Sequence, residues 1–141
     1  MRLLSVLILT LFIAASCNRQ HMKSNNKAVN SLTQFISKPK FDAVPGTIYT
    51  GVSDPELKKT LTLLINKAAE DFKYTTTHDP SEEKYQNDIA TGLTRFNKLY
   101  LELDTEDREQ VCHYFEEIMD CVELESSNGQ LNDWMYNYEP S

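Results

Sequence analysis

Apolar residues recur along this chain at intervals of three and four positions, the pattern of helices that bury one face. The clearest run begins after Ser53–Glu56, which fits a capping box with Pro55 in the first turn, where its missing N–H is not needed. The pattern weakens at Thr75–Thr77, where we expect the helix to fade because β-branched residues are poor helix formers. The apolar stripe of this helix consists of Leu57, Leu61, Leu64, Ala68 and Phe72.

A shorter helix is predicted before this run, from about Lys27 to Ser37, and Pro39 stops it. The segment 38–53 has no helical period, and it contains Pro45-Gly46, the residue order of a type II turn. We expect this segment to be irregular or to form a short β element. It would lie across the helices, with Phe41, Ile48 and Tyr49 as its anchors.

Two further helices complete the pattern. The third is predicted to begin at Asp79-Pro80 and to continue to about residue 103, and the fourth to span about 104–124 with Asp104 as its N-terminal cap. Gly92, inside the third helix, is destabilising there by about 1 kcal/mol relative to alanine, which indicates a close crossing with another helix. The stretch Ser126–Gly129 is expected to end the fourth helix, because asparagine and glycine tolerate left-handed backbone.

These elements predict an all-α fold, a single small bundle of about four helices with a long irregular or short β segment at 38–53. Cys112 and Cys121 would lie on opposite sides of the fourth helix, about 13 Å apart along its axis. That separation is too large for a disulfide, so we expect two small buried thiols. An aromatic tail follows, which either packs down to close the bundle, the favoured alternative, or leaves a patch for a partner. The tail contains Leu131, Trp134, Met135, Tyr136 and Tyr138.

The N-terminus has the pattern of an export signal, with one arginine followed by a short apolar run. Cys17 directly follows the small residues Ala14–Ser16, and this arrangement resembles the lipobox of bacterial lipoprotein signal peptides. The resemblance implies a diacylglycerol on the Cys17 thiol, a lipid anchor in the cell envelope membrane and a periplasmic domain. Ala14 departs from the leucine usual in that family, and plain secretion is the alternative. The predicted organisation is a signal peptide at 1–16, a lipidated polar tether at 17–26 and an acidic helical domain at 27–141.

Charge is distributed unevenly along the mature chain, which has 13 basic and 21 acidic residues. This balance argues against nucleic acid and against electrostatic binding to anionic lipid headgroups. Residues 101–141 contain Arg108 alone against 12 acidic residues, and a basic protein partner for this third of the chain is the functional interpretation of that excess. The predicted contacts are Glu116, Glu117, Asp120 and Glu123, with Trp134 and Tyr136 as anchors.

The same acidic charge is also compatible with two roles that need no protein partner. The first, which is the favoured interpretation for Asp120, Glu123 and Glu125, is intramolecular pairing with lysines, and the second is a loosely held divalent cation. The candidate lysines are Lys38, Lys40, Lys58 and Lys59.

Candidate chemistry is sparse. Glu109, His113, Glu116 and Asp120 share one face of the predicted fourth helix and suit zinc or iron, but no second helix has a matching set, so a solvated acidic face is favoured. Hydrolase and phosphate-loop motifs are missing from the sequence, and no catalytic residue or cofactor is predicted. The favoured function is a membrane-tethered binding module. The alternatives are an inhibitor or immunity-type protein against a basic extracellular enzyme, and a metal-dependent enzyme centred on His113. No oligomeric state is predicted.

Three stretches, Gly92–Phe96, Leu103–Glu109 and Glu125–Gly129, resemble a family of small bacterial proteins that is common in Bacteroidetes. The family is known as a domain of unknown function, and the resemblance covers roughly residues 28–140. It implies a bacterial source and a single domain, and it supplies no activity.

Overall fold

The computed structural model describes residues 25–140, and within them five α-helices and one short 3-10 helix follow one another. Across these residues no strand forms, and Asp42 and Gly51 make one isolated antiparallel bridge. The predicted all-α bundle is therefore confirmed, with a fifth helix in the aromatic tail. The elements are α1 (Asn25–Ser37), α2 (Pro55–His78), α3 (Glu82–Phe96), the 3-10 helix (Asn97–Glu102), α4 (Thr105–Val122) and α5 (Gln130–Tyr136).

The predicted signal peptide, Cys17 and the tether up to residue 24 lie outside the described residues. Helix α1 begins at Asn25, two residues before the predicted start of the domain. Among the helices of residues 25–140, none is long and apolar enough to cross a membrane.

Helix α2 lies at the centre of the bundle and packs against α1, α3 and α4. Its predicted stripe faces the core, since Leu61, Ala68 and Phe72 are fully buried. Helix α5 covers one end of the bundle, where the Trp134 ring meets Phe96 edge-on with centroids 6.2 Å apart. The tail therefore packs down, as the favoured alternative predicted.

Gly92 lies where α3 packs against α2, and the ring of Phe115 from α4 reaches the same point. A Cβ at this position would lie 2.7 Å from Cζ of Phe115 and 3.2 Å from Cβ of Ala68. Phe115 is fully buried, so its ring has little room to move. The predicted close crossing is confirmed.

The start and the end of α2 both differ from the prediction. Asp54 is the cap, and its Oδ1 accepts the N–H groups of Glu56 and Leu57 at 2.8 and 3.3 Å. The helix does not fade at Thr75–Thr77 but continues to His78. The hydroxyls of Thr76 and Thr77 bond to carbonyls three or four residues earlier, as Thr76 does to Phe72 at 2.7 Å, and burial of Thr75 and Thr76 stabilises the helix.

The caps of the next two helices give one correction and one confirmation. Ser81 caps α3 by accepting the N–H of Lys84, so the helix begins after Asp79-Pro80 rather than at it. Asp104 caps α4 as predicted, and its Oδ1 accepts the N–H of Asp107 at 2.8 Å.

Two helices end earlier than predicted. Helix α3 stops at Phe96, and the 3-10 helix supplies the rest of the apolar stretch up to Leu103. Helix α4 ends at Val122 because Glu123 takes up left-handed backbone, with φ of 60°. Asn128 and Gly129 are also left-handed, but they lead into α5 instead of ending α4.

Both predicted thiols lie on α4, which is continuous between them, and each is half-buried against the core. Burial raises the pKa of Cys112 to about 12. Its Sγ lies 3.7 Å from the carbonyl oxygen of Leu131, which fits a packing role.

Candidate functional site

The segment 38–53 crosses the bundle beside α4 and leaves a groove of about 440 Å³ between them, within the usual size range of ligand sites. We call it the α4 groove. One wall is the crossing segment and the other is the side of α4 that carries Glu109, His113 and Glu117. Of the predicted partner contacts only Glu117 lines the groove. The residues that line its walls include Val44, Ile48, Tyr49, Glu106, Glu109, His113 and Glu117.

The crossing segment is held at its beginning by Phe41, whose ring is fully buried against Tyr114 at 5.0 Å. The N–H of Phe41 donates to the Tyr114 hydroxyl at 2.9 Å. Phe41 has a positive φ of 58°, which is unfavourable for a bulky side chain, and these two contacts hold it there. The predicted turn at Val44–Thr47 is present, with Gly46 at φ of 82° and an N–H to carbonyl bond of 3.1 Å across it.

Lys40 fixes the segment to the C-terminal end of α1. The residue is only 3% exposed, and its ammonium donates to the carbonyls of Phe35 and Lys38 at 2.6 and 3.0 Å. Burial lowers the pKa of Lys40 to about 8, nearby Lys38 acts in the same direction, and Glu117 opposes the shift. The amine thus satisfies carbonyls at a helix end, where a positive charge is favoured.

The other end of the groove is fastened by Tyr49, whose hydroxyl donates to Oδ1 of Asp107 at 3.0 Å. Burial is the main reason that the pKa of Tyr49 is raised, and the Asp107 carboxylate adds to it. Burial also raises the pKa of Asp107, against the effect of the Tyr49 hydrogen bond. These anchors make the groove a fixed feature of the fold, because both walls belong to elements tied to the core.

The rim of the groove combines an apolar lip with acidic side chains. Ile48 is 82% exposed and Val44 is partly exposed, so Ile48 is not the buried anchor that the sequence predicted. Across the groove stand Glu106 and Glu109, both exposed on α4. Exposed aliphatic carbon next to carboxylates is a surface suited to a partner with basic and apolar side chains.

The predicted acidic contacts continue along the same side of α4. His113 lies 3.5 Å from a carboxylate oxygen of Glu116 and 3.5 Å from one of Glu117. Asp120 lies on the next turn and is exposed, and Glu123 follows the end of the helix and is also exposed.

Three of the four lysines that were predicted to pair with Asp120, Glu123 and Glu125 contact other groups. They are Lys38, Lys40 and Lys58. Lys38 lies 3.8 Å from Glu117, and Lys58 pairs with Asp42. Lys40 is directed at backbone carbonyls. Lys38 and Lys40 also line the α4 groove, whereas Glu116 and Asp120 lie outside it on α4.

The predicted metal ligands are not assembled into a cluster. Within residues 25–140, no group of three or more histidine, cysteine, aspartate or glutamate side chains is arranged to hold a metal ion. His113 turns toward Glu116 and Glu117, of which only Glu116 belonged to the predicted set.

The two predicted aromatic anchors differ in exposure. Trp134 is buried, and its ring N–H donates to Oδ1 of Asn97 at 3.0 Å, so it stabilises the core and is not a surface anchor. Tyr136 is 67% exposed at the end of α5. The sequence did not indicate Val44 and Ile48 as the exposed lip, because segment 38–53 has no period that assigns its side chains to a face.

Comparison with known proteins places the chain in a family. Residues 23–139 match the model of a domain of unknown function, DUF4844, in agreement with the resemblance found in the sequence. The chain is also similar to a crystal structure of a DUF3571 family protein from Acinetobacter baumannii AYE. The two share 34% identity with a TM-score of 0.73, over 80% of this chain and 91% of that one. No curated protein matches, so the comparisons indicate no specific function. The chain belongs to the DUF4844 family.

Proposed function

We propose that this protein is a lipid-anchored bacterial envelope protein whose domain binds a basic segment of a partner protein in the α4 groove. The observation that carries the proposal is the juxtaposition of Ile48, 82% exposed, with the acidic face of α4 across a groove of about 440 Å³. A partner segment with lysine or arginine beside an aliphatic residue would place its cation near Glu106 and Glu109 and its aliphatic carbon against Ile48. Lys38 and Lys40, which also line the groove, would disfavour further cations.

Electrostatics would set the selectivity and rate of this binding. The carboxylates of Glu106, Glu109, Glu116 and Asp120 are exposed, so each would gain only a modest energy from a cation. Together they steer basic partners and disfavour acidic ones, and added salt weakens the effect. The apolar lip supplies the rest, since fully burying an aliphatic side chain such as that of Ile48 contributes roughly 1.5–3 kcal/mol.

The lipid anchor belongs to the same proposal. Cys17 after Ala14–Ser16 supports acylation, and the polar residues after it would let the domain stand clear of the membrane surface on the periplasmic side. Anchoring raises the local concentration of the groove, so contacts of moderate strength suffice. Mass spectrometry of the mature N-terminus should find diacylglycerol on Cys17, and Cys17→Ser should move the protein out of the membrane fraction. An unmodified mature N-terminus would exclude the lipid anchor, but it would not exclude partner binding in the α4 groove.

A basic extracellular enzyme is a specific partner of this kind, and the protein would then act as an inhibitor or immunity-type protein. The alternative of a metal-dependent enzyme centred on His113 has no support from the arrangement of side chains in residues 25–140. The inhibitor hypothesis is tested separately, by assaying a captured partner for enzyme activity with and without this protein.

The groove itself can be tested by NMR with two peptides of equal length. One alternates lysine with leucine, and the other has glutamate in place of lysine. We expect amide shifts within 44–49 and 106–117 for the basic peptide alone, and we expect them to fade as salt approaches about 0.5 M. Reversing charge with Glu109→Lys and Glu116→Lys should abolish the shifts, whereas Glu83→Lys, on α3, should not. Equal responses to both peptides, or shifts in other elements, would exclude this groove as the binding surface.

A further inference from the structure

A second cleft, of about 430 Å³, lies between α2 and α3 and shares no lining residue with the α4 groove. Its walls carry charges of both signs and one tyrosine. We call it the α2–α3 cleft. The lining includes Lys67, Asp71 and Tyr74 from α2, and Asp88 and Arg95 from α3.

An ion-pair network shapes one side of this cleft. Asp71 receives Arg95 Nη2 on Oδ2 at 2.5 Å and Lys67 Nζ on Oδ1 at 2.6 Å, so both of its carboxylate oxygens are used. Arg95 is thereby held through one nitrogen, with its other terminal nitrogen directed elsewhere.

Two buried polar atoms of the cleft have no hydrogen-bond partner among residues 25–140. One is Nη1 of Arg95 and the other is Oδ2 of Asp88. Asp88 does have Thr75 as a side-chain hydrogen-bond partner, which leaves its second oxygen unmatched. Burial raises the pKa of Asp88, and nearby Asp71 raises it further. A buried polar atom left unpaired is destabilising by about 1–3 kcal/mol, and charged groups by more, so two in one cleft make the cleft a candidate site for a ligand that pairs with both.

We propose that the α2–α3 cleft binds a small zwitterion, of which a free α-amino acid is the simplest, with its ammonium group at Asp88 and its carboxylate at Arg95. A simple anion would be repelled by Asp88, and a simple cation by Arg95. A ligand that carries both charges a short distance apart pairs with both atoms at once.

The mouth of the cleft is consistent with this ligand. The two unpaired atoms each expose less than 1 Å², so side chains at the mouth must move for a ligand to reach them. Lys67 is mostly exposed and is held by a single surface ion pair, an interaction worth at most about 1 kcal/mol. Tyr74 is exposed beside it and stacks on His78 with ring centroids 3.9 Å apart, which offers an aromatic surface to the ligand's side chain.

Calorimetric titration of the purified protein with each proteinogenic amino acid tests the proposal. At least one free amino acid should bind saturably below about 10 mM. Its N-acetyl form and its amide form should each bind at least about tenfold more weakly, because each lacks one of the two charges. Saturable binding by no amino acid, or equal binding of the blocked forms, would overturn the proposal.

Variants locate the site and keep the result separate from the α4 groove. Asp88→Asn keeps the size of the side chain and should weaken binding at least about tenfold, whereas Glu70→Gln, on the same rim, should leave it nearly unchanged. Thermal unfolding of Asp88→Asn verifies that the variant is folded. Binding that is unaffected by Asp88→Asn would contradict the assignment. Glu109→Lys, in the α4 groove, should not alter amino acid binding. A negative result for the α2–α3 cleft is therefore distinguishable from a negative result for peptide binding in the α4 groove.

Discussion

Replacing Lys40 by methionine should change how the stability of this protein depends on pH. The folded-state pKa of Lys40 is lowered from 10.5 to about 8, chiefly by burial. Between these values the unfolded chain holds a proton that the folded chain has released, so the free energy of unfolding rises with pH. This is the reverse of the usual lysine that gains an acidic partner. Methionine keeps an unbranched side chain, one atom shorter than that of lysine, and removes the titration.

The magnitude follows from the two pKa values. One pKa unit corresponds to about 1.4 kcal/mol, so the full window amounts to about 3 kcal/mol, of which about 2 kcal/mol falls between pH 7 and 9.5. Lost hydrogen bonds to Phe35 and Lys38 change the stability of the variant by an amount that does not depend on pH. Groups such as Cys112 and Tyr49 titrate in both proteins and cancel in the difference.

Urea denaturation at about pH 7, 8.5 and 9.5 measures this difference. The wild-type protein should gain about 2 kcal/mol relative to Lys40→Met over that range. Lys59→Met is the matched control, because Lys59 is exposed and does not contribute to the pKa shift of Lys40, and its difference from the wild type should stay constant. If the free energies of unfolding of the wild type and Lys40→Met change with pH in parallel, within about 0.5 kcal/mol, the lowered pKa of buried Lys40 is refuted.

Three further predictions concern the fold, each measured by urea denaturation against the wild type. Gly92→Ala should lower the free energy of unfolding by about 1 kcal/mol, since overpacking against Phe115 outweighs a gain in helix propensity of about 1 kcal/mol; a stabilised variant would contradict the close crossing. Asp104→Ala should lower it by about 1 kcal/mol and Asp104→Asn by much less, because asparagine also caps helices; equal losses would exclude the capping role. Trp134→Ala should lower it by about 3–5 kcal/mol, and a loss below about 1 kcal/mol would mean that α5 does not close the bundle.

The helices were predictable because their information is local. The stripe that includes Leu61 and Phe72 has the helical period, Asp104 is a preferred capping residue, and Gly92 has no local reason to occur inside a helix. The ends were less predictable, because tertiary burial of Thr75 and Thr76 stabilised this stretch against its low helix propensity. The seven-residue helix α5 is too short for a periodic signal of its own.

Of the two walls of the α4 groove, only the one formed by α4 could be predicted from the sequence. The acidic face of α4 follows from helical spacing, since residues three and four apart share a face. The other wall depends on contacts between distant residues, such as Tyr49 with Asp107, 58 positions apart. The ion pair of Asp71 and Arg95 in the α2–α3 cleft is likewise set by how two helices pack. A single sequence does not indicate such pairs.

Photo-crosslinking in the native host is the most direct test of the central claim, that a partner occupies the α4 groove. A photoreactive residue replaces Ile48, and the control replaces Leu101, which is almost equally exposed at 81% but lies outside the groove. We expect a crosslinked partner with a basic surface from position 48, none from position 101, and loss of the product when Glu109→Lys and Glu116→Lys are introduced. The same products from both positions, or a product at position 48 that survives charge reversal, would contradict the account.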